Sequence, residues 1–149
     1  METILLRCDY YKGSGAGHLK RSSLLARALT EKGFNTILII DESNSDILIP
    51  LNVKYEKFAF KKFNEIEDAE LVIKLASNHN SRIVIGDSYR ITNKWIEKIQ
   101  KNNIKVILID DLFIGSKADL SINYTPVNSN NKLCLNLNQL RSPKYFITD

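Results

Sequence analysis

Short apolar runs alternate along the chain with segments whose apolar residues recur at helical spacing. Four of these runs are continuous, as is typical of parallel strands covered on both faces, and they predict buried strands at 3–8 (TILLRC), 35–41 (NTILIID), 82–87 (RIVIGD) and 104–111 (IKVILIDD). The weaker stretch 53–60 (VKYEKFAF) alternates enough to predict an edge strand, and 118–124 (ADLSINY) predicts a further short strand.

Three of the intervening segments have the features of helices. In the helix predicted over 18–32, the inward residues are Leu24, Leu25, Ala28 and Leu29. In the helix predicted over 64–79, they are Ile66, Ala69, Val72, Ile73 and Ala76. Gly33 follows the first helix where glycine is favoured, and Thr92 is the predicted N-cap of a third helix, NKWIEKIQKNN.

This alternation of strands and helices predicts an α/β fold. Parallel strands joined by helices need right-handed crossovers, which place helices on both faces of the sheet. We therefore expect a single Rossmann-like domain over residues 1–149, because this length is enough for one core of ordinary size. Residues 125–132 (TPVNSNNK) are predicted to form a loop.

The composition is that of a globular protein, with 44% hydrophobic and 26% charged residues. No apolar run approaches the roughly 20 residues of a membrane span. Arg7 interrupts the apolar N-terminal run, so the sequence predicts no secretory signal. We therefore expect a cytoplasmic protein with no membrane partner.

Charge and cysteine content exclude further classes. Lysine and arginine number 21 against 17 acidic residues, a net charge of +4, and the basic residues are scattered rather than grouped in a stripe with aromatic residues. No nucleic-acid partner is therefore expected. Cys8 and Cys134 form no CxxC pair, and the chain has only two histidines, so we expect no bound metal and no cofactor.

The stretch GSGAGHLKR, residues 13–21, is the main candidate for chemistry. Its alternating glycines, which include Gly15 and Gly17, allow a tight turn and a close approach of the backbone to a ligand. A helix that begins there directs unpaired N–H groups and a partial positive charge at an anion, most often a phosphate. The same field favours a neutral His18, which could then act as a base toward water or a sugar hydroxyl. The alternative is a polar residue at a helix start with no chemical role.

Polar residues also follow other predicted strands. Asp41 ends the second strand, Asp87 and Tyr89 end a later one, and Asp110 and Asp111 end the next. Because ligands of parallel α/β sheets bind at the carboxyl ends of the strands, we expect these residues to converge with the glycines on one edge. The two adjacent aspartates could be cap or loop carboxylates, could bind hydroxyls or amides, or could orient the histidine. The tyrosine could be a packed aromatic residue or could line the pocket.

A dinucleotide site is the first rival interpretation. Two glycines open the helix, and Asp41 has the position of a ribose-binding carboxylate. The dinucleotide motif requires glycine at position 18, however, where this chain has His18. The segment DYYK also makes the turn too long for that motif. The sequence therefore disfavours NAD.

Five motifs, in order, resemble the N-terminal half of a known family. They are RCD at 7–9, GAGHLKR at 15–21, DSY at 87–89, IDDL at 109–112 and ADLSIN at 118–123. The family is that of PseG, which hydrolyses a UDP-activated 2,4-diacetamido-2,4,6-trideoxy sugar in pseudaminic acid biosynthesis, and of the SpsG-type spore-coat polysaccharide proteins. Its members resemble GT-B glycosyltransferases such as MurG, with two Rossmann-like domains and the active site between them.

The resemblance implies roles for the matching residues. His18 would be the catalytic histidine, which activates water to release UDP from an activated amino sugar without a required metal. Gly15, Gly17, Arg21 and Tyr89 would surround the sugar and the phosphates. The remaining polar residues of the shared motifs are candidate substrate contacts: Asp9, Asp87, Asp110, Asp111 and Asn123.

The resemblance runs in order from Arg7 to about Asn123, and the chain departs from the family at Tyr145. The family continues through a Y-x-L-L-R segment into a second domain that holds most of the uridine, whereas this chain has YFITD. We therefore expect an N-terminal domain, with the nucleotide-binding domain absent from this chain, and an open concavity lined by His18, Tyr89 and Asp110 or Asp111. The alternatives are a lobe that binds a sugar nucleotide or a partner without hydrolysis, and one half of a GT-B-type glycosyltransferase.

Overall fold

The computed structural model describes residues 1–11, 13–41, 53–58, 62–112, 117–123 and 139–141. These residues form one sheet flanked by helices. In chain order the elements are β1 (Thr3–Cys8), α1 (Gly17–Glu31), β2 (Asn35–Asp41), β3 (Lys54–Phe58), α2 (Glu65–Asn78), β4 (Ile83–Asp87), α3 (Asn93–Gln100), β5 (Lys105–Ile109), β6 (Leu120–Asn123) and β7 (Gln139–Arg141).

Within the described residues the sheet has seven strands, in the order β3-β2-β1-β4-β5-β6-β7, and each neighbouring pair is parallel. The four continuous apolar runs are adjacent strands in this order, as predicted. The alternating stretch forms the edge strand β3, and β6 confirms the further short strand. β7 has the polar sequence QLR, for which the apolar pattern predicts no strand. The loop predicted over 125–132 lies outside the described residues.

Helices cover both faces of the sheet. On one face, side chains of α1 such as Leu19 and Ala26 pack with Leu6 of β1 and Leu38 of β2. On the other face, α2 and α3 pack against the alternate strand residues, with Trp95 fully buried. Because successive strand residues point to opposite faces, each apolar run contributes to both clusters. The expected Rossmann-like α/β fold is confirmed.

The buried face of α1 differs in part from the predicted one. Its buried residues are His18, Leu19, Ser22, Ser23 and Ala26. Leu25 and Leu29 are partly buried and pack against the core, as expected, whereas Ala28 is exposed. Leu24 is partly buried. The helix is turned because His18 and Ser22 both bond to Asp87, which ends β4. A polar contact therefore sets which face of the helix is buried.

The buried face of α2 is close to the prediction. Ala69, Val72 and Ala76 are buried and Ile73 packs against the same cluster, as expected. Ile66 is 37% exposed, however, so its predicted inward position is wrong. Thr92 is the N-cap of α3, as predicted: its hydroxyl accepts a hydrogen bond from the backbone N–H of residue 94 at 3.2 Å.

Asp68, near the start of α2, is buried, and the apolar pattern did not predict this. Its carboxylate accepts hydrogen bonds from Arg7 Nε and from Trp95 Nε1, each at 2.8 Å, and all three side chains are fully enclosed. Burial alone would lower the pKa of Arg7, but the Asp68 carboxylate keeps it raised. Arg7 therefore remains a cation inside the core, and its charge depends on this partner.

Removal of the Asp68 carboxylate should destabilise the fold much more than removal of the neighbouring apolar side chain. We expect Asp68→Ala to lower the free energy of unfolding by about 3–5 kcal/mol, because the buried Arg7 would lose the carboxylate that binds its Nε and keep only the more distant Asp9. The matched control Ile66→Ala, in the same helix turn, should cost about 1 kcal/mol or less, because that side chain is partly exposed. Urea unfolding followed by far-UV circular dichroism measures both, and equal losses would contradict the structure.

Candidate functional site

The glycine loop, residues 13–17, leads from β1 into the first turn of α1. Gly13 and Gly15 have φ angles of +100° and +71°, which favour glycine, and a Cβ built on either would meet no atom within 4 Å. The requirement for glycine is therefore one of backbone conformation. Ser14 closes the turn, because its N–H donates to the Tyr11 carbonyl at 3.0 Å and its hydroxyl accepts from the Tyr11 N–H at 3.0 Å. The outer side of the loop is left open for a ligand.

The start of α1 carries no negative charge of its own. The N-cap residue Ala16 supplies no side-chain hydrogen bond, and the first turn contains no acidic residue. The backbone N–H groups of such a turn keep their partial positive charge. The predicted preference of this position for an anion is thus compatible with the local structure.

His18 is held by Asp87 at the carboxyl end of β4. The two side chains are joined by a contact of 2.6 Å between His18 Nδ1 and Asp87 Oδ1. Arg21 Nη2 also lies 3.4 Å from the same ring nitrogen, but a guanidinium can only donate, and the carboxylate contact is much shorter. We therefore assign the proton of the neutral ring to Nδ1, which leaves the lone pair on Nε2.

Asp87 is the most heavily bonded carboxylate of the site. Arg21 donates to both of its oxygens, with the Nε–Oδ2 contact at 2.6 Å, and the Ser22 hydroxyl lies 3.2 Å from Oδ2. Burial alone would raise the pKa of Asp87, but the hydrogen bonds from Arg21 and His18 hold it below its ordinary value of 3.8. Asp87 is only 1% exposed. Both of its oxygens are bonded within the chain, and its predicted contact with substrate stays a prediction.

Asp111 and Tyr89 extend this group toward the surface. Arg21 Nη1 donates to Asp111 Oδ2 at 2.7 Å, and the Tyr89 hydroxyl donates to the same oxygen at 3.2 Å. Partial burial and the Asp111 carboxylate raise the pKa of Tyr89, so its phenol remains a donor. We call the residues His18, Arg21, Asp87, Tyr89 and Asp111 the His18 cluster.

The His18 ring is less exposed than expected. It is 4% exposed, because Tyr89 covers it in an edge-to-face contact with ring centroids 4.5 Å apart. The expectation that the ring lines an open concavity is therefore wrong. Nε2, the nitrogen that bears the lone pair, makes no hydrogen bond to the described residues.

A second cluster lies beside the first and was not found from the sequence. Arg90 donates to Asp9 Oδ1 at 2.6 Å and to Asp41 Oδ2 at 2.7 Å, and the Ser88 hydroxyl donates to Asp9 Oδ2 at 2.7 Å. We call these four residues the Arg90 cluster. Asp9 is fully buried, and its predicted contact with substrate stays a prediction. Asp41 likewise binds an arginine of the chain.

Two further candidates bond to each other. Asn123 Nδ2 donates to the backbone carbonyl of Asp110, and both residues are nearly enclosed, at 3% and 5% exposure. Their predicted contacts with substrate stay predictions. Among the candidates, Gly15, Gly17 and Tyr89 are open to solvent, and Arg21 and Asp111 keep 13% of their side chains exposed.

The spacing of His18, Arg21 and Ser22 could have revealed part of this arrangement. Residues three and four apart lie on one face of a helix, so these three polar side chains of α1 had to share a partner or face solvent. No comparable signal marks Arg90, because a single arginine after a strand is common at a protein surface.

Other classes of site find no support in the described part of the chain. No group of three histidine, cysteine or acidic side chains there could hold a metal ion. Burial raises the pKa of Cys8 to about 12, so its thiol stays protonated, and Cys134 lies outside the described residues. None of the described helices is long and apolar enough to cross a membrane.

Two solved structures share the fold of this chain. MurG of Acinetobacter baumannii superposes with a TM-score of 0.65 at 9% identity, over 85% of this chain and 42% of MurG. A glycosyltransferase of Rickettsia africae superposes with a TM-score of 0.60 at 14% identity, over 83% of this chain and 37% of the other. At such identities the likeness shows the fold alone, and it confirms the expected resemblance to a domain of a GT-B fold. The chain thus spans less than half the length of either. No family model matches the sequence, and no curated protein matches it.

The assigned tautomer of His18 can be tested directly by ¹⁵N NMR. We expect the neutral ring to carry its proton on Nδ1, because that nitrogen faces the Asp87 carboxylate. The other histidine, His79, is 32% exposed, and its Nε2 faces Glu56 at 3.6 Å, so it serves as an internal control with the opposite tautomer. Long-range ¹H–¹⁵N spectra of histidine-labelled protein distinguish the two forms, and an Nε2-protonated His18 would contradict the assignment.

The Asp87 carboxylate should make stability depend on pH. Because the pKa of Asp87 in the folded chain lies below 3.8, the ionised group stabilises the fold above about pH 4, and this contribution is lost as the pH falls through the lowered pKa. We expect Asp87→Asn to lower the free energy of unfolding by about 3 kcal/mol at neutral pH, because Arg21 loses a buried partner. Urea unfolding at about pH 7 and about pH 3 should show this difference narrow in acid, and a constant difference would exclude an ionised, paired Asp87.

Proposed function

We propose that this chain is the histidine-bearing domain of a nucleotide-sugar hydrolase of the PseG type. In this proposal, His18 activates water, and UDP is released from an activated 2,4-diacetamido-2,4,6-trideoxy sugar. The motifs that resemble that family support the family assignment, from which the substrate class is proposed. The GT-B-like fold supports the handling of a nucleotide sugar between two domains. The proposed location is the cytoplasm.

The observation that carries the proposal is the pair formed by His18 and Asp87. A general base needs its lone pair on an accessible atom and its ring fixed by a second group. Asp87 holds Nδ1 at 2.6 Å, Tyr89 contacts the ring from the side, and Nε2 is the nitrogen left for the reaction. A histidine with only a capping role would not need a buried carboxylate that is itself neutralised by Arg21.

The proposed step transfers one proton and exchanges one bond. Nε2 of His18 takes a proton from water, the water oxygen bonds to the anomeric carbon, and the bond from that carbon to the phosphate oxygen breaks. UDP leaves with the electron pair of that bond. The imidazolium formed on His18 is stabilised by the ionised Asp87, in the way that a buried aspartate supports a catalytic histidine elsewhere.

The glycine loop and the start of α1 are the proposed contacts of the diphosphate. The loop glycines are open on their outer side, and the first turn of α1 offers N–H groups with no competing carboxylate. Arg21 was expected near the phosphates, but three of its nitrogens bond to Asp87 and Asp111. We therefore assign Arg21 to the support of His18.

The uridine is proposed to bind a second Rossmann-like domain, as the resemblance implies. The chain corresponds to 42% of MurG and 37% of the Rickettsia africae glycosyltransferase, so a protein of that architecture has room for another domain of similar size. Tyr89 of the His18 cluster is 49% exposed, and Leu112, which follows Asp111 in the chain, is 55% exposed. Exposed apolar area of this kind suits coverage by a second domain.

A glycosyltransferase half is the second candidate. The two solved structures that share the fold are MurG and a Rickettsia africae glycosyltransferase, and this likeness favours that candidate. In that function Nε2 of His18 would take its proton from an acceptor hydroxyl instead of water. The geometry of the His18 cluster fits either acceptor. The two functions differ in whether UDP release needs a second sugar.

Loss of the base should slow UDP release far more than it weakens binding. In a protein that joins this domain to its second half, we expect His18→Ala to lower the rate by about two to four orders of magnitude, the typical contribution of a positioned base. Affinity should change little, because a neutral base acts mainly in the transition state. A UDP-release assay beside calorimetric titration with the UDP-sugar separates the two effects.

Two variants sharpen this test. His18→Gln keeps a hydrogen-bonding side chain but cannot take a proton, so near-normal turnover in this variant would refute the base role. His79→Gln replaces the other histidine and should leave the rate unchanged. UDP release that begins only on addition of a sugar acceptor would favour the glycosyltransferase, and binding without any release would favour a non-hydrolytic lobe.

A further inference from the structure

The four residues that end β4 and follow it, Asp87 to Arg90, serve two clusters in alternation. Asp87 and Tyr89 contact His18 and belong to the His18 cluster. Ser88 and Arg90 instead contact Asp9 and belong to the Arg90 cluster. Because the two sets share one short backbone segment, the position of either set constrains the other.

Arg90 makes more contacts than a simple ion pair requires. Its guanidinium carbon lies 3.9 Å from the ring centroid of Tyr11 and 4.1 Å from that of Phe63. Its nitrogens reach both Asp9 and Asp41, which follow and end two adjacent strands. Such stacking and forked bonding are specific to the planar guanidinium, which a lysine cannot reproduce.

Arg90 restrains Tyr89 through a closed ring of hydrogen bonds. The Arg90 N–H donates to the Ser88 hydroxyl at 3.0 Å, that hydroxyl donates to Asp9, and the Arg90 side chain donates to the other oxygen of Asp9. Both neighbours of Tyr89 are therefore anchored. Since the tyrosine itself is 49% exposed, packing alone does not hold it over the His18 ring.

Arg90 also restrains the glycine loop from the other side. The Tyr11 ring lies against the guanidinium, and the Tyr11 backbone forms the reciprocal pair of hydrogen bonds with Ser14 that closes the turn. The loop leads directly into the first turn of α1, where His18 lies. Arg90 thus contacts the segment before His18 and the segment that covers it.

We propose that Arg90 is a positioning residue, which holds the glycine loop and Tyr89 in register with His18. It touches neither the histidine nor the proposed reacting atoms, and it acts through Tyr11, Asp9 and the backbone of residues 88–90. The inference rests on the proposed function only for the role of His18. Its structural content concerns the geometry of the histidine, which can be measured without turnover.

The experiment compares the ¹⁵N and ¹H signals of the His18 ring in the wild-type chain, in Arg90→Gln and in Arg90→Lys. In both variants we expect the His18 signals to shift or to split into more than one form. The Ser14 amide should exchange with solvent about tenfold faster, because the stacking on Tyr11 is lost. His79 should keep its wild-type signals in the same spectra. The near-UV circular dichroism of the single tryptophan, Trp95, confirms that each variant is folded.

Arg90→Lys decides the outcome if the glutamine variant does not fold, because lysine keeps a positive charge between Asp9 and Asp41. Arg27→Lys is the matched control, since Arg27 lies on α1 with a side chain that is 58% exposed, and it should change nothing. A folded Arg90→Lys with wild-type His18 signals and wild-type Ser14 exchange would overturn the proposal. These readouts do not depend on UDP release, so a failed base test for His18 and a failed positioning test for Arg90 are distinguishable.

Discussion

The buried carboxylate of Asp87 is the constraint on which the rest of the site depends. A charged group removed from water is costly unless it is bonded on all sides, and α1 supplies the donors His18, Arg21 and Ser22. These residues are spaced three and four apart, so a single helix face meets the end of β4. The rotation of α1 about its axis, and the direction of the His18 ring, both follow from this one requirement.

The same rule operates at the neighbouring strand ends. Asp9 follows β1 and Asp41 ends β2, so carboxylates accumulate where three parallel strands terminate. Arg90 lies between two of them, and Arg7 Nη1 approaches Asp9 Oδ1 at 3.5 Å from inside the core. Asp9 and Asp41 therefore share Arg90, and Asp9 is also close to Arg7. The glycine loop gains a defined conformation because the loop residue Tyr11 lies against one of these arginines.

The elements of the fold could be predicted from the sequence because apolar burial has a regular period. The runs TILLRC and NTILIID are continuous because both faces of a parallel sheet are covered, and crossover connections make such strands parallel. The prediction was wrong where polar contacts override that period. Asp68 is buried and Ile66 is exposed, because Asp68 compensates Arg7. His18 and Ser22 of α1 are buried because both bond to Asp87.

The residues of the candidate site could be named from the sequence, but not their tasks. Motif resemblance placed Asp9, Asp87 and Asn123 near the substrate, since a motif records which residues occur together and not which of them face the ligand. In the structure, both oxygens of Asp9 and of Asp87 are bonded within the chain, and their contact with substrate stays a prediction. These bonds could not be found from the sequence, because the partners are more than sixty residues apart in the chain.

In the proposed reaction, this saturation also explains how one domain could combine a base with an anionic substrate. Arg21 donates to both Asp87 and Asp111, so its single positive charge reduces, without cancelling, the negative charge of the two carboxylates beside an incoming diphosphate. Asp87 nevertheless keeps one oxygen on His18 Nδ1, where it can stabilise the ring once Nε2 has taken a proton. The groups that orient the base all come from this domain. The molecule that gives its proton to Nε2, whether water or a sugar, must then be selected by the domain that lies opposite Tyr89.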